Sequence, residues 1–259
     1  MKSKNTFCAF FVCNSILFTT ITLLLFTVVS CHKSSKKDSG ITKEFSDITN
    51  IDLSTVSGDC KIVKSNSSLV KVYLTHHYEP SDSFEPIFEQ NKNVLKLEEK
   101  MIGSNSGSSE WVLSVPDNIN IIFSSSSGRI FINNVSLSIK AESSSGDIIA
   151  QNVKLIDNSE FASSSGDVDI TLAASPKFNI SVSSSSGNAT INYNNNPIAG
   201  KFIMGARVKN GDIRSPYKFD TKKEEYHGEQ EYIIKSFTIG SELPIINIHT
   251  ASGEACLRK

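Results

Sequence analysis

The sequence predicts an all-β fold: a single-domain parallel β-helix or solenoid with coils of about 20 residues and a less regular N-terminal section. Three observations predict it. One short phrase recurs, as SSSSGRIFI at Ser124–Ile132, SSSGDIIA at Ser143–Ala150, SSSGDVDI at Ser163–Ile170, SSSSGNATI at Ser183–Ile191 and KNGDI at Lys209–Ile213. Its glycines, Gly128, Gly146, Gly166, Gly187 and Gly211, lie 18, 20, 21 and 24 residues apart, a spacing suited to stacked coils. Apolar residues alternate with polar ones on both sides of each glycine, and a period of two means strand.

Within one coil, the positions seven and five before the glycine are inward and mostly apolar, as at Ile121 and Phe123, Ile139 and Ala141, Ile180 and Val182, with Phe161 alone in its coil. The same alternation turns the serines three and one before the glycine inward, Ser125 and Ser127 in the first case, Ser143 and Ser145 in the next. Two and four places after it come Ile130 and Ile132, Ile148 and Ala150, Val168 and Ile170, Ala189 and Ile191. Each coil is therefore two strands and a corner. Glycine suits a corner that needs positive φ, which costs other residues about 1–2 kcal/mol, and a neighbouring Asp or Asn can bond the local backbone. Stacked serines would form hydroxyl ladders between coils.

The chain in order begins with Lys2 and Lys4, followed by an uncharged stretch from Asn5 to Ser30 centred on Leu23–Leu25. This reads as an export signal over residues 1–30. Val28-Val29-Ser30-Cys31 has the form of a lipobox, which would make Cys31 the lipidated first residue of the mature protein. The alternative is an uncleaved transmembrane anchor, since the apolar stretch is long enough to span a bilayer. A polar tether occupies residues 31–40, with the solenoid domain over 41–259. Gly58 marks a first repeat, preceded by Ile51, Leu53, Thr55 and Ser57 and followed by Cys60 and Ile62. Between Gly58 and Gly128 the pattern predicts strands at Leu69–Leu74, Val94–Glu98 and Glu110–Val115, turns at Asn105–Ser108 and Pro116-Asp117, and a cap for the solenoid. Gly253 marks the last repeat, and an excursion at about 214–240 interrupts the series before it.

Composition excludes some functions. Without residues 1–30, which hold two lysines and no acid, 24 basic face 27 acidic side chains, a net charge of −3, and no basic patch suggests a nucleic acid. Cys60 and Cys256 point to opposite faces in the first and last repeats and are not expected to pair. His76 and His77 are adjacent on a strand and must diverge, so no metal is expected there. Asp147 and Asp167 could bridge a cation between coils, but turn chemistry alone accounts for them. No histidine recurs near the serines and no paired carboxylates adjoin a base, so no catalytic residue and no cofactor is assigned.

The lipobox at Cys31, the opening IDLSTVSGD, the stretch ending in WVLSVPDNINI, the serial SSSGD corners and the closing INIHTASGEACL resemble the bacterial putative-adhesin families of unknown function, including head domains of autotransporter-like adhesins. The likeness covers nearly all of the mature chain and departs at Arg129, Asn188 and Asn210, where the corner Asp or Ser is missing. It implies a β-helical solenoid on an exported protein, often a lipoprotein. The expected function is a membrane-anchored adhesin or binding module at the outer membrane or cell surface, meeting an unidentified protein or glycan ligand. A structural envelope scaffold and a carbohydrate-active enzyme are the competing classes. Aromatic residues on a charged excursion suit sugar stacking or a protein contact, which makes Tyr217, Phe219, Tyr226 and Tyr232 the candidate binding residues; covering the end coils is the other use for them.

Overall fold

Alternation in the sequence becomes alternation in burial: the strand Asn50–Thr55 buries Ile51, Leu53 and Thr55, and Ile180–Ser184 buries Ile180, Val182 and Ser184. The computed structural model describes residues Ser39–Lys259, so the predicted export signal, Cys31 and nearly all of the tether lie outside the described residues. The described chain is all-β and solenoid-like, with 21 strands and no helix among the described residues. Strands before the corner glycines stack into one ribbon and strands after them into another. In the first, Ile121 of Ile119–Ser125 stands beside Ile139 of Ser136–Ser143, and Phe161 of Ser159–Ser163 stands beside Val182. In the second, Ile148 of Ile148–Leu155 lies between Ile130 and Val168. These pairings are parallel and in register. The core runs between the ribbons, and each buried Ile, Val or Phe contributes about 1.5–3 kcal/mol.

The corner chemistry differs from the expectation in three ways. None of the seven corner glycines has positive φ; that conformation belongs instead to asparagines at the other turn of the coil, including Asn134 (φ 55) and Asn152 (φ 52). What the corner requires is closeness. A Cβ built on Gly166 would lie 2.5 Å from the carbonyl carbon of Gly146 and 2.8 Å from the amide nitrogen of Asp147, so glycine backbones stack directly on one another. This stack runs Gly58, Gly128, Gly146, Gly166, Gly187, Gly253. Gly211 is not in close contact with a stacked glycine: its nearest neighbours are Ala206 Cβ at 3.0 Å and Ala251 O at 3.2 Å.

Second, only the serine three before each glycine turns inward. Ser143, Ser163 and Ser184 are buried, whereas Ser127, Ser145, Ser165 and Ser186 are exposed, because the chain bends at the corner and the alternation lapses. The inward hydroxyls form a relay. Gly166 N–H donates to Ser163 Oγ at 2.9 Å, and Ser163 Oγ donates to Gly146 O at 3.0 Å. Ser143, Ser184 and Thr250 likewise donate to Gly128 O, Gly166 O and Gly187 O. Third, the corner acids bond the next coil and not their own turn: Asp167 N–H donates to Asp147 Oδ1 at 2.9 Å, and Asn188 N–H to Asp167 Oδ1 at 2.7 Å. Each corner thus satisfies polar groups that burial would otherwise penalise.

Coil order in space departs from order in sequence at both ends. Asn50–Thr55 lies between Val94–Met101 and Ile119–Ser125, so Gly58 stacks directly beneath Gly128 although 70 residues separate them. Ile245–Thr250 lies between Ile180–Ser184 and Gly200–Arg207, which places the last repeat inside the preceding one. Antiparallel hairpins finish the stack, so the pairing is mixed. Phe84–Asn91 pairs with Val94–Met101, and Val70–Glu79 joins Ser106–Val115 to Ser39–Phe45. Residues 105–108 are therefore largely strand rather than the expected turn.

Candidate binding face

The predicted binding residues do not converge. Thr221–His227 and Gln230–Ile239 form a hairpin that pairs through its second strand with Gly200–Arg207, covering the C-terminal end of the stack. Tyr217 and Phe219 pack against Phe237, with ring centroids at 5.6 and 5.7 Å, and Phe237 stacks on the buried Phe202 at 4.7 Å. They close the core. Tyr226 and Tyr232 sit near the hairpin tip opposite Glu231 and Glu225 respectively, a register that sends their rings to opposite faces of the ribbon. Tyr226 is 67% exposed, and the Tyr232 ring meets His227 edge-on at 5.2 Å. Tyr217→Ala is accordingly expected to cost about 2 kcal/mol in thermal or urea unfolding, and Tyr226→Ala less than about 0.5 kcal/mol.

A different surface gathers polar side chains. The outer face of the ribbon that precedes the glycines forms a shallow groove of about 750 Å³ crossing successive coils. One row lining it occupies the position eight before five of the six stacked glycines: Asn50, Asn120, Ser138, Asn158 and Asn179, with Ile245 at that offset from Gly253. Asn120 Nδ2 donates to Asn50 Oδ1 at 3.1 Å, and Ser138 Oγ donates to Asn120 Oδ1 at 2.5 Å. Farther along, Asn179 N–H donates to Asn158 Oδ1 at 3.0 Å and Ile245 N–H donates to Asn179 Oδ1 at 2.8 Å. A backbone N–H can only donate, so those two amides must turn their NH₂ groups away from the coil contact.

The row two residues farther on, Asp52, Ile122, Lys140, Glu160, Ser181 and Asn247, also lines the groove. Ile122 is 53% exposed there. Lys140 Nζ lies 2.9 Å from Glu142 Oε1, and this hydrogen bond raises the lysine pKa above its ordinary value, so the cation enters the groove already paired. Reading the outward positions one at a time conceals the rows. The signal that would have found the first was in the sequence, as asparagine eight residues before Gly58, Gly128, Gly166 and Gly187.

Other candidates resolve into structure. Asp147 and Asp167 spend their carboxylates on backbone N–H groups, and no cluster of three or more His, Cys, Asp or Glu suited to a metal occurs among the described residues. His76 lies against the Phe84 ring at 4.6 Å; partial burial and then the neighbouring His77 hold its pKa below the ordinary histidine value. Cys60 and Cys256 are free thiols whose pKa values burial pushes up. Cys256 is on the outward register, yet it is only 1% exposed, with Thr190 and Arg214 paired to either side of it in the sheet.

This architecture defines a class: an all-β, solenoid-like protein with capped ends and a repeated polar outer face. Residues 118–202 match the family Toastrack DUF4097. No curated protein matches the chain. Among solved structures, a putative cell adhesion protein from Clostridium sporogenes ATCC 15579 is 17% identical, with a TM-score of 0.45 over 86% of this chain and 99% of that one. A putative adhesin from Bacteroides fragilis NCTC 9343 is 13% identical, with a TM-score of 0.35 over 86% of this chain and 97% of that one. A putative lipid binding protein from Parabacteroides distasonis ATCC 8503 is 13% identical, with a TM-score of 0.30 over 85% and 96%.

Proposed function

We propose that this chain is an exported lipoprotein, anchored through Cys31, whose single β-solenoid domain over 41–259 serves as an adhesin-like binding module at the outer membrane or cell surface. The observation that carries the reading is the groove, in which outward polar side chains repeat coil after coil at one offset. A repeated row suits an extended partner held by many equivalent contacts, whereas catalysis needs a few unlike groups converging on one atom. The six stacked glycines have a structural part in this reading, since they set the coil register from which the rows project; Gly211 stands outside that stack.

Three measurements test it. A thioether to lipid needs the Cys31 sulfur, so Cys31→Ser is expected to abolish labelling by a fatty-acid probe and to block maturation. A wild-type chain that takes no fatty-acid label and keeps residues 1–30 would replace the lipid with a transmembrane anchor. Protease added to intact cells is expected to degrade the protein, and the mature chain used as bait on intact cells is expected to retain a surface component. Full resistance to the protease would end the case for contact with an external partner.

A further inference from the structure

We infer that the outer groove takes a neutral, linear oligosaccharide lying across the coils, an assignment that rests on the binding-module reading above and names its ligand class. The uncommitted donors carry the argument. Asn158 and Asn179 each use Oδ1 to accept a backbone N–H from the next coil, at 3.0 and 2.8 Å, and neither Nδ2 has a partner within the described residues. Both side chains are exposed and line the groove. Pairs of N–H donors held at a fixed angle by their own oxygens suit oxygens that only accept, such as the ring and glycosidic oxygens of a sugar chain.

Charge selects within that class. Asp52 and Glu160 project into the same groove, and its lysine, Lys140, is already bonded to Glu142. A uronate or phosphate chain would bring anions against two carboxylates, with no free cation among the described residues that line the groove, which disfavours it. Sugar hydroxyls, in contrast, donate to carboxylates. The exposed Ile122 gives the apolar face of a pyranose ring a surface to lie on. Successive coils repeat at about 4.8 Å, so the amide row presents donors at a pitch close to one sugar unit of an extended chain.

The test uses the full chain purified in detergent, titrated with cello-, xylo-, manno- and chito-oligosaccharides, with galacturonate oligomers as the charged comparison. At least one neutral oligomer is expected to bind, with affinity rising with chain length and no comparable binding of the uronates. Asn158→Asp keeps the acceptor for Asn179 N–H and deletes the donors, and it is expected to weaken binding about tenfold with an unchanged melting temperature. Ser181→Trp fills the groove from an outward position and is expected to abolish binding. Sugar binding that neither variant alters would overturn the groove assignment while leaving the binding-module reading intact. Absence of binding to every neutral oligomer would overturn the ligand class, and the intact-cell capture would then judge the broader reading separately. A dimer in solution that Ser181→Trp dissociates would make a second copy the occupant and would also overturn the proposal.

Discussion

Glu99→Ala is expected to lower stability by about 4 kcal/mol, a fall of about 10 °C or more in melting temperature for a domain of this size. Glu99 is 4% exposed, and five donors converge on its carboxylate. Val56, Ser57 and Gly58 N–H donate to Oε2 at 2.8, 3.3 and 3.2 Å; Trp111 Nε1–H donates to Oε1 at 2.8 Å, and Ser109 Oγ donates to the same oxygen. At Gly146, Gly166 and Gly187 the glycine N–H meets the serine hydroxyl of its own coil, which in turn donates to the glycine carbonyl of the coil below, whereas in the Gly58 coil Thr55 Oγ1 donates to Ser125 Oγ of the next coil. At Gly58 there is no further glycine below. Glu99, on the coil that closes this end, takes that place and supplies acceptors where the repeat has run out. Removing it leaves several buried donors unmatched, and each costs about 1–3 kcal/mol. Glu99→Gln is expected to cost about half as much, because the amide keeps one acceptor and sets an NH₂ against donors. Urea unfolding of both variants checks the order, and equal stability of Glu99→Ala and wild type would remove the capping role.

Gly166→Ala is expected to cost more than 3 kcal/mol, and urea unfolding measures it. The new methyl would meet the backbone of Gly146 and Asp147, atoms that cannot swing aside as the end of a side chain can. Relief would need the two coils to part, which would lengthen the Ser163 hydroxyl bond to Gly146 O and the ladder beyond it. Gly211→Ala provides the contrast, with an expected cost below about 1.5 kcal/mol, since its nearest neighbours stand 3.0 and 3.2 Å away. If the two variants lose stability equally, the close glycine stack is not what the corner requires.

The inward and outward assignments could be read directly from the residues. Ile121, Phe123, Ile130 and Ile132 are buried as the period of two requires, and Val135 and Val153 continue that order after asparagines whose positive φ turns the chain. A side chain's face on a strand depends only on its parity relative to its neighbours, which is local information. The serine one before each glycine escaped this logic because the corner itself breaks the parity. The role of glycine was also misjudged, since positive φ and close backbone approach both select the same residue and only the spatial neighbour tells them apart. For the binding face, Asn158 and Asn179 were visible as polar outward residues, but not the direction of their amides, which the backbone donors of the following coils set.

Coil order was beyond the reach of periodicity. Every repeat presents the same ladder of backbone donors and acceptors and the same apolar ridge, so any coil in register can stack on any other, and sequence distance adds only a slowly growing entropy of loop closure. The 70 residues between Gly58 and Gly128 suggest intervening coils, yet the chain runs outward, builds the end through Glu99 and Trp111, and returns to lay Gly128 directly on Gly58. Local alternation settles which residues face the core. Which coil lies last, and therefore which carboxylate closes the end and which aromatic rings cover the other, follows from the need to satisfy every buried donor at once, a condition that exists only when the whole stack is assembled.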